Sequence, residues 1–134
     1  MSAHEHAHMM FRLAQRDFRA LRGMLDANIF ATEIFGFHAQ QVVEKALKSW
    51  LSLLDVDYPR THDLEELLAL LAQHGATVPE RFYGLIDLTD FAVQFRYAAF
   101  DEDDAKVDRL ALIRQLTELV EHIKRLFTDA EDAG

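Results

Sequence analysis

Apolar residues recur along this chain at intervals of three and four, and nowhere in a strict alternation, so the pattern predicts helices and no strands. The clearest division runs through Phe37-His38-Ala39-Gln40-Gln41-Val42-Val43-Glu44-Lys45-Ala46-Leu47-Lys48. At about 100° per residue, Ala39, Val42, Val43, Ala46, Leu47, Trp50, Leu53 and Leu54 form one contiguous arc. His38, Gln41, Lys45 and Lys48 fall on the opposite side, three or four residues apart. A helix divided in this way is expected to bury one face in a bundle and to show the other to solvent or a partner.

The same reading extends to both sides. A first helix is expected from about His8 to Ala27, with Met10, Leu13, Ala14, Phe18, Leu21, Met24 and Leu25 inward. Asn28 is a plausible N-cap for the second helix, which should reach Leu54. Gly36 inside it costs about 1 kcal/mol relative to alanine, which close helix packing or a kink would explain. Residues 55–61 read as a loop. Thr61 or Asp63 can cap a short third helix carrying Leu64, Leu67, Leu68 and Leu71, and His74-Gly75 ends it. Pro79 suits the first turn of a fourth helix running to about Tyr97, with Phe82, Leu85, Ile86, Thr89 and Val93 inward. After an acidic loop, a last helix is expected from about Lys106 to Asp129, its inner face Leu112, Ile113, Leu116, Leu119, Val120, Ile123, Leu126 and Phe127. The fold expected is all-α: an antiparallel up-and-down four-helix bundle with an additional short helix.

Composition narrows the class. The 134 residues suit one domain, 1–134, with residues 1–8 and 129–134 expected to fray. A chain of this size buries roughly 65–70% of its unfolded surface. There is no cysteine, so no disulfide framework holds it. No apolar run reaches the length of a membrane span, and Met1–His8 lacks the layout of a secretory signal, so no membrane association and a cytoplasmic location are the default expectations. The formal charge of −9 disfavours broad non-specific binding to nucleic acid, though a local cationic patch can still hold one nucleotide or RNA end.

Three pieces occur in a telling order: Phe37-His38-Ala39-Gln40-Gln41 leading into Glu44-Lys45-Ala46-Leu47-Lys48; Thr61-His62-Asp63-Leu64; and Phe95-Arg96-Tyr97. This ordered set resembles the HEPN family (higher eukaryotes and prokaryotes nucleotide-binding domain) and extends over about Leu13 to Phe127. The resemblance implies a helical bundle that forms a homodimer and binds a nucleotide or RNA. It also implies action beside a minimal nucleotidyltransferase-type partner, or as the ribonuclease half of a toxin–antitoxin pair. Ribonuclease members carry an Arg, four to six intervening residues and a His, one to stabilise charge and one to move a proton. Arg96 matches the arginine, but Asp101, Glu102 and Asp103 stand where the histidine belongs, and no other arginine has a histidine at that interval. His38 or His62 would have to enter the site through folding or dimerisation.

The candidate nucleotide- or RNA-binding residues are therefore Arg96, Tyr97, His38, Gln41, Lys45 and Lys48, with His62 as a further possibility and Arg96 the best catalytic candidate. Each has a plainer reading. The stripe can be the wet face of an amphipathic helix with Glu44 and Lys48 as an i,i+4 pair. Arg96 can be a cation favouring a helix C-terminus, and His62 a local support for the start of the short helix. His4 and His8 would share a helical face able to hold a transition metal, but a frayed terminus without a carboxylate argues against it. His74 and His122 read as surface residues. No metal and no cofactor are expected. Besides a nucleotide- or RNA-binding accessory protein, two alternatives stay open: a structural dimerisation module, and a metal-independent endoribonuclease toxin with a non-standard histidine.

Overall fold

The computed structural model describes residues 1–94 and 107–133, except the side chains of Val93 and Gln94. Helix α1 spans Ala3–Arg22, α2 Thr32–Leu53, α3 Leu64–Gln73, a 3₁₀ segment Glu80–Leu88 runs into α4 at Thr89–Gln94, and α5 spans Arg109–Ala133. Among the described residues there is no strand. Side-chain contacts give the directions. His6 at the start of α1 reaches Tyr58 beyond the end of α2, and His8 reaches Glu131 near the end of α5, so α1 is antiparallel to both. Arg109 stacks over Phe35, both at helix beginnings, and Trp50 meets His122, so α2 and α5 run parallel. Phe82 touches His122, while Phe91 lies against Gly36, so the 3₁₀–α4 strut runs against α2 and α5. This is the up-and-down bundle expected, with α3 as the additional short helix.

The boundaries differ in instructive ways. Helix α1 starts at Ala3, five residues before the expected His8, where Ser2 and Glu5 form a capping box. Its buried face is Ala7, Phe11, Ala14, Phe18 and Leu21, rotated from the expected one, while Leu25 is exposed. Asn28 does not cap α2: its backbone N–H bonds the Asp26 side chain in a turn, and α2 begins after Ala31 without a side-chain cap. Asp63 caps α3, accepting from Glu65 and Glu66 N–H groups, and Gly75 at φ +87° follows its end as expected. Asp108 accepts the N–H of Ala111 and so begins α5 three residues later than expected.

The fourth strut departs furthest from the expected continuous helix. Phe82, Leu85 and Leu88 are buried at a spacing of three, which suits three residues per turn better than 3.6. The strut turns α-helical at Thr89, whose hydroxyl accepts the Leu64 N–H at the beginning of α3. Gly36 is explained by packing: a Cβ there would overlap the Phe91 ring. The core gathers Phe35, Leu47, Leu51, Leu68, Leu71, Phe82, Leu116, Leu119 and Ile123 around α2, the central helix.

Candidate functional site

Helix α2 is covered nearly all round, and this changes what its polar stripe can do. Besides the apolar arc, Gln40, Glu44, Ser49 and Ser52 are buried. A carboxylate in such a place needs compensation. Glu44, 5% exposed, receives it from three directions. Gln40 Nε2 donates to its Oε1 at 3.0 Å, Lys48 Nζ donates to Oε2 at 3.1 Å, and His62 Nδ1 lies 2.7 Å from Oε1. Burial raises its pKa, but these hydrogen bonds and the Lys48 charge outweigh burial and hold the carboxyl below its ordinary value. An ionised Glu44 can only accept, so His62 Nδ1 carries the proton of this contact, and Nε2 has no hydrogen-bond partner among the described residues. The His62 side chain is 59% exposed.

The remaining stripe residues extend this seam. Gln41 donates to Gln40 Oε1 at 2.7 Å, and Gln40 also donates to the His62 carbonyl, tying the helix to the loop before α3. Lys45 pairs with Asp17 of α1. Lys48 also lies over the Tyr58 ring at 5.5 Å. Burial and the Glu44 charge push the Tyr58 hydroxyl pKa up, against a hydrogen bond with Ser52. His38 meets the Phe37 ring edge-on. The stripe, read from the sequence either as a ligand-facing patch or as a wet face with Glu44 and Lys48 paired, is a partly buried polar seam in which Lys45 meets Asp17 and Lys48 meets Glu44. The helix wheel could not show the Asp17 and His62 contacts, because it carries no information on Asp17, or on the loop that folds His62 onto Glu44. Every buried side-chain nitrogen and oxygen among the described residues has a partner.

The structure thus brings Lys48 and His62 together on Glu44, with Gln41 linked to it through Gln40 and Lys45 paired with Asp17. Arg96 and Tyr97 lie outside the described residues, as do Phe95 and the acidic run 101–104. His122, expected at the surface, is half-buried between Trp50 and Phe82. Burial, then Arg125 and Arg81, lower its pKa. His4 and His8 face one another with Nε2 atoms 3.0 Å apart, yet no three metal-binding side chains converge among the described residues. No helix described is long and apolar enough to cross a membrane.

Chemically, the seam offers one surface imidazole oriented by a buried carboxylate. Such a group can accept or donate a hydrogen bond to a base or phosphate. Two residues that periodicity alone does not single out matter here. Spacing marks Glu44 only as the partner of Lys48, and its place in the same stripe, beside Gln41 and Lys48, is the available signal. Asp17 has no such signal.

Comparison with protein families matches the chain to a family described as the HEPN domain, over residues 7–131. Comparison with curated proteins and with solved structures finds no match.

Proposed function

The chain belongs to the HEPN domain family, helical domains generally related to nucleotides and RNA, and from that membership we propose that it is a nucleotide- or RNA-binding accessory bundle. In this reading it works beside a minimal nucleotidyltransferase-type partner, because the bundle holds no glycine-rich triphosphate loop of its own. Arg96 supplies the phosphate contact and Tyr97 the stacking or hydrogen-bonding one. The observation that carries the reading is the His62 imidazole, fixed at Nδ1 by buried Glu44 and open on its other side. It lies on the second of the three pieces that mark the resemblance. The usual arginine–histidine pair is missing, which argues against the ribonuclease activity of other members.

The test is binding of a labelled ATP analogue and of a labelled short RNA to the purified chain. Wild type should bind at least one, and Arg96→Ala should weaken that binding about tenfold, the worth of one charge-assisted hydrogen bond to phosphate. Affinity capture from the native cells should recover a protein with a nucleotidyltransferase fold. Absence of both binding and such a partner overturns the proposal.

The Glu44–His62 pair also favours a second reading, a metal-independent endoribonuclease in which His62 moves the proton. Growth arrest on expression, abolished by Arg96→Ala and by His62→Ala, supports it. Harmless overproduction counts against it.

A further inference from the structure

The strongest feature left unused lies on α1. Arg12, Arg16, Arg19 and Arg22 are all exposed and recur at intervals of four, three and three. They fall within about 120° of the helix circumference and over about 15 Å of its length. The chain has 23 acidic residues against 14 basic ones, so exposed arginines have many carboxylates to choose from. Yet among the described residues no carboxylate pairs with Arg12, Arg19 or Arg22. Arg16 has only a 3.7 Å approach to Asp17, which Lys45 already engages. Arg22 lies over the Phe18 ring.

Position at a helix C-terminus accounts for Arg19 and Arg22, which sit in the last turn of α1. It does not account for Arg12 and Arg16, which stand further back along the helix. Beside the stripe, between α1 and α5, lies an open cleft of about 180 Å³ bordered by Gln15, Arg19, Arg22 and Thr117, with Glu121 as its one carboxylate. Arg19 and Arg22 thus line one wall of a groove that also offers an amide and a hydroxyl, and Arg16 and Arg12 continue the row along α1 beyond it.

We propose that this α1 stripe and its cleft bind the phosphodiester backbone of a short single strand of RNA. The proposal rests on the nucleic-acid reading of the family and adds the surface that would track the strand. Guanidinium groups hold phosphate oxygens in pairs, and the permanent cations of α1 are all arginines, none a lysine. A narrow row of charge on an otherwise acidic molecule suits a thin strand better than a broad duplex or an acidic protein face, which would meet repulsion on either side. A membrane surface is disfavoured because the apolar face of α1 is already buried in the core.

The probe is a fluorescein-labelled oligouridylate of about ten nucleotides, within the range of single-strand site sizes, read by fluorescence anisotropy. All three unpaired arginines are exposed, so Arg12→Gln/Arg19→Gln/Arg22→Gln should fold, which a circular dichroism melt verifies. The triple variant should bind at least tenfold more weakly at low salt. Its dependence of log K on log salt should flatten by about 2, at roughly 0.7 for each phosphate no longer neutralised. Three results overturn the proposal: a triple variant that binds like wild type, an oligoglutamate of matching charge that displaces the RNA equally well, or no RNA binding by wild type. If the triple variant still binds RNA through Arg96, or wild type binds only the ATP analogue, the stripe is wrong and the accessory-protein reading stands. If wild type binds neither and captures no transferase, both fall.

Discussion

Glu44 shows how one side chain can organise its surroundings. Burial disfavours its charge; its three donors outweigh burial, and the carboxylate in turn holds both the Lys48 ammonium and the His62 ring. Its folded pKa lies below the ordinary 4.5. Its contribution to stability is therefore complete above pH 4.5 and is lost as pH falls through the lower, folded value. Glu44→Gln should cost about 3 kcal/mol near neutral pH, since it leaves the Lys48 charge in a nearly closed site. Urea denaturation at neutral pH and again in strong acid measures this, and the gap between variant and wild type should shrink in acid. A gap that persists unchanged in acid would mean that the carboxylate charge is not what stabilises the seam. The pairing of Glu44 with Lys48 is legible at four-residue spacing, whereas the His62 contact spans 18 residues and has no local signature.

The elements meet through a small number of specific contacts. Arg109, the first residue of α5, donates to the carbonyls of Met24 and Phe30 at 2.8 and 2.6 Å and stacks on Phe35. It joins three helices at one end of the bundle by holding the turn that connects α1 to α2. Those carbonyls lie outside any helix ladder, so the guanidinium fork meets a need that a helix cannot. Lysine has the charge without the fork. Arg109→Lys should lose about 2 kcal/mol, because one carbonyl goes unpaired, and amide hydrogen exchange should quicken in residues 24–30. Full retention of stability would show that the charge alone suffices. Periodicity located the fourth strut but not the 3₁₀ form of its first part, because Phe82, Leu85 and Leu88 fit a three-residue repeat and a short stretch of threes also fits one face of an α-helix.

Leu25, Ile29 and Leu110 are exposed at 40%, 71% and 61%, and each is next in sequence to Met24, Phe30 or Arg109, the three residues joined by the Arg109 hydrogen bonds. HEPN domains often dimerise, and an apolar end on a chain of net charge −9 is a reasonable self-complementary surface. Light scattering behind size exclusion should give twice the chain mass, and Ile29→Asp should return it to one chain without lowering its melting temperature. A wild-type monomer at high concentration would rule the dimer out. High salt should leave this apolar association intact while weakening RNA binding along α1, which separates the two surfaces in one titration.

The helical class, a short helix capped at Thr61 or Asp63 and its stop at His74-Gly75 follow from local spacing and capping chemistry. These are properties of neighbours in the chain, and a linear reading reaches them. That Lys45 meets the Asp17 carboxylate, and that His62 folds onto Glu44, was decided by contacts spanning 28 and 18 residues. The same holds for His122, drawn from an apparently polar face into contact with Trp50 and Phe82. Charge compensation in a closed interior is a matter of three-dimensional proximity, and nothing in the order of residues encodes it directly.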